Sequence, residues 1–229
     1  MQAVILAAGR GTRMGSLTET LPKPMLDVNG KTLLEHKFDA LPESVGEIIV
    51  VVGYLGETIR QRFGGTYGGR TMTYVTQENI VGGTADALWQ AKDMLTGKFV
   101  VMMGDDIYAR EDIEAVAAHD WSLLVQRVPD TVVGGKIMSD ADGHIIDIIE
   151  GNSGGEGAVS ANLFALDTRI FDFPQVPKAA GSSEMGLPQT VLAASKASGI
   201  PFNVVEATVW IQVSNPDDLA RAAAALGKE

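Results

Sequence analysis

The stretch Ala3-Val-Ile-Leu-Ala-Ala-Gly-Arg-Gly-Thr-Arg-Met14 decides the fold, because a continuous apolar run meets a glycine pair flanked by cations. An unbroken run such as residues 3–8 fits a strand buried on both faces, as in a parallel sheet. Gly9 and Gly11 then permit backbone dihedrals that a side chain would forbid, and such a turn lets N–H groups converge on an anion. By itself the pair fits a tight turn as well as an anion-binding loop. Two known phosphate fingerprints fail here. The Walker pattern requires Gly-Lys-Ser/Thr after a longer loop, and the dinucleotide pattern requires a third glycine where Met14 stands.

Just downstream, Leu21-Pro-Lys-Pro-Met25 sets Lys23 between two prolines, whose rings fix φ and restrict the residue before them. The ammonium is thereby held at a defined position, and with Arg13 it brings positive charge to the glycine turn. The rest of the chain is acidic: among 229 residues, 18 Lys and Arg face 29 Asp and Glu, for a formal charge of −11. That balance argues against a surface that tracks a nucleic-acid backbone. The absence of cysteine excludes disulfides, thiolate metal sites and cysteine nucleophiles. His36, His119 and His144 show no metal-ligand spacing. Neither a membrane-spanning apolar run nor a secretory leader is evident, so the expectation is a cytoplasmic chain with no membrane partner.

Working outward, the first half alternates apolar runs at 3–8, 47–54, 72–77 and 99–103 with helical patterns at 32–41, 56–63 and 84–95. That is the pattern of parallel strands joined by helical crossovers. The second half carries strand-like segments at 122–128, 136–139, 144–150, 159–166 and 202–207, separated by short polar turns that suggest antiparallel pairing. Helices are predicted at 184–198 and from Pro216, with Ser214 or Asn215 as the cap of the latter. The expected architecture is a single domain over 1–229, a three-layer α/β/α Rossmann-like fold with a mostly parallel mixed sheet. A change of character near Asp120 divides it into halves at 1–120 and 121–229.

Two further constellations carry chemistry. Gln77 ends a strand and Gly82-Gly-Thr-Ala85 opens a helix, so an amide with both a donor and an acceptor could read a pyrimidine edge. Alternatively, Gly82 or Gly83 caps the helix and Gln77 lies on the surface. Asp105 and Asp106 follow a buried strand at the edge where open α/β sheets bind ligands. Adjacent carboxylates on a strand point oppositely, so only one is expected to face a cleft.

Taken together, Gly9-Arg-Gly-Thr-Arg13 and Pro22-Lys-Pro24 resemble the signature of sugar-1-phosphate nucleotidylyltransferases, the group that includes glucose-1-phosphate thymidylyl- and uridylyltransferases. The resemblance runs along nearly the whole chain and is strongest up to Asp106. It implies the nucleotide-diphospho-sugar transferase fold, with 1–120 as the nucleotide half and 121–229 as the acceptor half. Leu6, Ala8, Gly9, Gly11, Thr12 and Arg13 would wrap a triphosphate, with Arg13 at its β/γ region. Lys23 would support the phosphate chain or the acceptor phosphate. Gln77, Gly83 and Thr84 would meet uracil or thymine, Asp105 would ligate Mg²⁺, and Glu150, Asn162 and Glu184 would hold the sugar. The implied partners are UTP or dTTP and a sugar-1-phosphate, whose already ionised phosphate needs no general base.

The resemblance weakens at two places. Where the family shows Glu-Lys-Pro, this chain has Glu150-Gly-Asn152, so Lys136 or another cation must substitute, or the acceptor phosphate is held differently. Where many members show Trp-x-Asp, it has Trp210-Ile-Gln212, and the amide of Gln212 is a weaker, doubtful metal ligand. Asp217 and Asp218 read as charges at a helix N-terminus. These departures keep two rivals in view: a CTP-dependent cytidylyltransferase for a non-sugar phosphate such as phosphocholine, and a nucleotide-binding regulatory protein with weakened turnover. The chain ends soon after its last predicted helix, so the repetitive C-terminal region of the family's bifunctional acetyltransferase members is expected to be absent. A homo-oligomer stays open.

Overall fold

The computed structural model describes residues 1–131, 135–151 and 154–227. Its organising element is strand β1 (Gln2–Ala7). Val4 and Leu6 pack into one apolar core while Ala3, Ile5 and Ala7 pack into another on the opposite face. Side chains alternate across a strand, so covering both faces demands the unbroken apolar run seen in the sequence.

After the glycine turn come the short pair β2 (Asp27–Val28) and β3 (Lys31–Thr32), then α1 (Leu33–Ala40), which starts at a Thr32/Glu35 capping box. Next are β4 (Glu47–Val52), α2 (Gly56–Phe63), β5 (Thr66–Tyr67), β6 (Arg70–Thr76), α3 (Gly83–Trp89) and β7 (Lys98–Met103). The chain continues through β8 (Asp106–Tyr108), α4 (Arg110–Ala117), β9 (Trp121–Val128), β10 (Lys136–Ser139), β11 (Ile145–Ile149) and β12 (Gly157–Asp167). It finishes with α5 (Leu187–Ser198), β13 (Phe202–Glu206), β14 (Trp210–Gln212) and α6 (Pro216–Leu226).

The main sheet runs β11-β10-β12-β7-β1-β4-β6-β5, with β9 on β12 and β13 on β9. β1 is parallel to both neighbours, Leu6 lying opposite Val51 of β4 and Met103 of β7. Successive crossovers carry the chain from β1 to β4 and β6 on one side, and the next returns to β7 on the other. At such a reversal the connections leave in opposite directions, so a crevice opens beyond the carboxyl ends of the two strands. One core packs α3 and α5 against the sheet through Leu88, Val191 and Ala194. The other packs α1, α2 and α4 through Phe38, Ile59 and Ile113. This gives three layers, as expected.

A smaller apolar cluster of Met14, Leu26, Val28, Leu33, Ile107, Val213 and Ala222 anchors the back of the glycine turn. Met14 stands where a dinucleotide fold would need glycine, and it is buried core. The half from residue 121 onward is only partly antiparallel: β12 opposes β7, β9 and β10, but β13 runs parallel to β9. The helix expected at 84–95 is split into α3 and a 3-10 turn at Lys92–Met94, and the one expected from 184 begins at Leu187. Helix α4, unread in the sequence, is placed by Asp112. Its buried carboxylate accepts from Thr208 N, Thr208 Oγ1 and Val209 N at 2.9–3.0 Å.

Candidate active site

A cleft of about 500 Å³ lies over the carboxyl ends of β1 and β7. All of the residues singled out as a phosphate loop, base reader, metal ligand or acceptor contact line it, from Leu6 to Gln212. The fold explains the convergence on the loop side. Tyr54 N donates to Ala8 O at 3.0 Å and Gly104 N to Leu6 O at 2.8 Å. A side chain at Gly53 or Gly104 would collide with that same backbone. Gly11 holds the left-handed region (φ 65°), and the space beside it is filled by the Lys23 stem, 2.8 Å from where a methyl would sit. Thr12 and Arg13 are exposed toward the cleft.

Lys23 is only 5 % exposed, and its Nζ lies 2.5 Å from Asp105 Oδ2. Asp105 sits in the turn after β7 with a third of its side chain open. Its neighbour Asp106 turns the other way, 3 % exposed, and accepts from Trp210 Nε1 at 3.1 Å. One carboxylate faces the cleft and one faces the core, but the turn between β7 and β8 separates them rather than alternation along one strand, since only Asp106 is on a strand. Burial, reinforced by the charge of Asp105, pushes Asp106 up to about 7. On α1, the buried Lys37 is pulled down to about 8 by its desolvation, which the charges of Asp105 and Asp106 partly offset. Its Nζ donates to Leu33 O at 3.2 Å. Asp106 also fixes strand β14, where Gln212 pairs with it in register and remains exposed on the cleft.

Of the residues expected to read a base, Gln77 is buried, not a surface residue. Gly83 has a positive φ of 93° and a Cβ there would lie 2.7 Å from Met185 N, so close packing against residue 185 demands glycine whatever the ligand. Thr84 Oγ1 accepts from Leu187 N at 2.9 Å, tying α3 to the start of α5.

Among the residues expected to meet an acceptor, Glu150 accepts from Gln189 Nε2 at 2.7 Å. Asn162 adopts φ 55° where the β12–β9 register shifts, a conformation that asparagine tolerates better than most residues. Glu184 does not begin a helix. It lies before α5 in a segment where its carbonyl accepts from Lys178 N at 2.8 Å and Pro177 bridges Met185. That pairing sets Lys178 on the cleft wall. Lys136 is absent from the lining and its stem lies over Gly157 instead. Lys178 is not legible in the sequence, since no local pattern marks an irregular segment. Gly151 has φ 91°, and Asn152 lies outside the described residues. Away from the cleft, Asp140, Asp142 and His144 hold their ligand atoms within 4.8 Å of one another. Asp140 Oδ1 accepts from Asp142 N and His144 N, which makes this cluster a self-bonded turn.

Among the described residues no helix is long and apolar enough to cross a membrane. The family model described as nucleotidyl transferase matches residues 2–229. The bifunctional protein GlmU of Methanocaldococcus jannaschii is 27 % identical over 226 residues, 97 % of this chain and 53 % of that protein. The UTP–glucose-1-phosphate uridylyltransferase AglF of Haloferax volcanii is 45 % identical over 109 residues, 47 % of this chain and 44 % of that one. The chain spans about half the length of the curated relatives it matches. A Bacillus anthracis structure, provisionally a glucose-1-phosphate thymidylyltransferase, superposes with a TM-score of 0.83 at 22 % identity. The match covers 100 % of this chain and 96 % of that chain, a likeness of fold.

Proposed function

The chain belongs to the nucleotidyl transferase family, and we propose that it transfers a nucleoside monophosphate from UTP or dTTP to a sugar-1-phosphate, releasing pyrophosphate. The observation that carries this reading is a cleft whose lining brings Gly9, Gly11, Thr12, Arg13 and Lys23 together with Glu150, Asn162, Glu184 and Lys178. A phosphate-binding turn facing hydroxyl-binding carboxylates suits two phosphorylated substrates held end to end.

In this reading the backbone of the glycine turn and the exposed Arg13 hold the triphosphate. Lys23, fixed between its prolines, offsets charge as the phosphate oxygen of the acceptor attacks the α-phosphorus and pyrophosphate leaves. Displacements of this kind depend on alignment and charge neutralisation more than on proton transfer. We assign Lys178, rather than Lys136, to the acceptor phosphate, with Glu150 and Glu184 for sugar hydroxyls. Residues 1–120 then serve the nucleotide and 121–229 the acceptor. Asp105 and Gln212 offer a carboxylate and an amide oxygen on one cleft, a hard donor set that fits Mg²⁺ completed by phosphate oxygens and water. When bound there, Mg²⁺ would neutralise phosphate charge. A choline acceptor is disfavoured: Trp210 is the one aromatic side chain among the described lining residues, and no cage surrounds a quaternary ammonium.

The test is pyrophosphate release across the common nucleoside triphosphates, each with a panel of sugar-1-phosphates and with phosphocholine. Turnover is expected with UTP or dTTP and a sugar-1-phosphate. No turnover with Mg²⁺ in any combination would sink the proposal. Asp105→Asn should reduce kcat by about 100-fold or more, and a variant at full rate would remove Asp105 from the metal site.

A further inference from the structure

Gln77 is 4 % exposed and follows directly on β6, lining the cleft. Its Nε2 lies 3.2 Å from Gly83 O and 2.7 Å from Asp86 Oδ2. Both partners are acceptors, a carbonyl and a carboxylate. Exchanging the amide's oxygen and nitrogen would set lone pairs against lone pairs, so the chemistry of the neighbours settles the orientation. An amide nitrogen carries two hydrogens, and both are used. The group left to face a ligand is Oε1, an acceptor without a partner among the described residues.

The lock is built into the N-terminal turn of α3. Asp86 lies in that first turn and folds its carboxylate back over Gly82, where a methyl would collide with Oδ2. The carbonyl of Gly83 is aimed by a positive φ that close packing on Met185 imposes. A free glutamine amide offers a base both a donor and an acceptor, and here the two hydrogen bonds to Gly83 and Asp86 remove the donor.

We propose that Asp86 is a positioning residue that holds the Gln77 amide with its oxygen toward the base, so that the cleft takes uracil or thymine in preference to cytosine. Uracil and thymine carry an N–H at ring position N3, which an oxygen accepts. Cytosine has a lone pair there, which the same oxygen repels. A site built to bond one partner rejects an analogue that leaves its buried polar group unpaired. The inference rests on the nucleotide reading of this cleft and names the feature that selects the base.

Calorimetric titration of the whole chain with UTP and with CTP, in the presence of Mg²⁺, tests it without requiring turnover. The unsubstituted protein should bind UTP at least about tenfold more tightly than CTP. Asp86→Ala frees one hydrogen of Nε2 and loosens the lock, so the preference should fall to about threefold or less, chiefly through tighter CTP binding. Gly82→Ala displaces the same carboxylate while keeping it in the chain and should shift the ratio in the same direction, which covers the case where Asp86→Ala fails to fold. An unchanged UTP:CTP ratio in a folded variant, or no preference in the unsubstituted protein, overturns the proposal. Failure of all common nucleoside triphosphates to bind overturns the nucleotide reading itself and this inference with it.

Discussion

Gly9→Ala and Gly11→Ala separate what the fold requires of the glycine turn from what a ligand requires. Gly11 sits at φ 65°, and a methyl there would lie 2.8 Å from Lys23 Cβ. Left-handed backbone costs alanine about 1–2 kcal/mol, and crowding a packed lysine stem adds on the order of 1 kcal/mol or more. Gly11→Ala should therefore lose about 2–4 kcal/mol of stability. Gly9 lies outside the left-handed region, and a methyl there meets nothing within 4 Å. Its replacement should leave stability within about 0.5 kcal/mol. The open space over Gly9 is the cleft, so the same methyl should obstruct a phosphate and weaken UTP binding by roughly tenfold or more, about 1.4 kcal/mol. Urea unfolding followed by tryptophan fluorescence gives the stabilities, and calorimetric titration gives the affinities. A Gly9→Ala protein that binds UTP as tightly as the parent would show that the phosphates do not pass over this turn. A Gly11→Ala protein of parental stability would refute the packing argument.

Three other outcomes are expected. Gln212→Asp should lower the Mg²⁺ concentration for half-maximal activity several-fold, by adding a charged oxygen to the cleft that Asp105 also lines. An unchanged requirement would place residue 212 beyond the metal's reach. Lys37 falls from 10.5 to about 8 on folding, so the unfolded chain binds more protons between those values and stability should rise with pH across that window. The rise is on the order of 3 kcal/mol relative to Lys37→Met, which lacks the titrating group, and parallel stability curves for the two proteins between pH 7.5 and 10.5, read from urea midpoints, would contradict it. Asp112→Ala strips the shared acceptor of Thr208 and Val209 and should cost about 3 kcal/mol, roughly 10 °C in Tm by calorimetry. A melting point within a degree or two of the parent would show that those N–H groups find other partners.

Much was legible along the chain because it is dictated within a few residues. The apolar run at β1, the glycine turn, the proline-framed Lys23 and the Asn215 cap of α6, whose side chain accepts from Asp217 N and Asp218 N, all follow from periodicity and local conformational limits. The opposite aims of Asp105 and Asp106 match the expectation but not its reason, because Asp105 lies in the turn between β7 and β8 and only Asp106 is on a strand. What remained hidden depends on partners distant in sequence. Lys23 meets Asp105 across 82 residues and Asp112 meets Thr208 across 96. Lys178 reaches the cleft only because an irregular segment pairs with itself, and Gln77 loses its donor only because a helix turn folds a carboxylate onto it. Local chemistry set which groups the chain brings and which dihedrals it can hold. Strand register and packing decided which groups meet, because that depends on where the sheet reverses direction and brings distant turns to one edge.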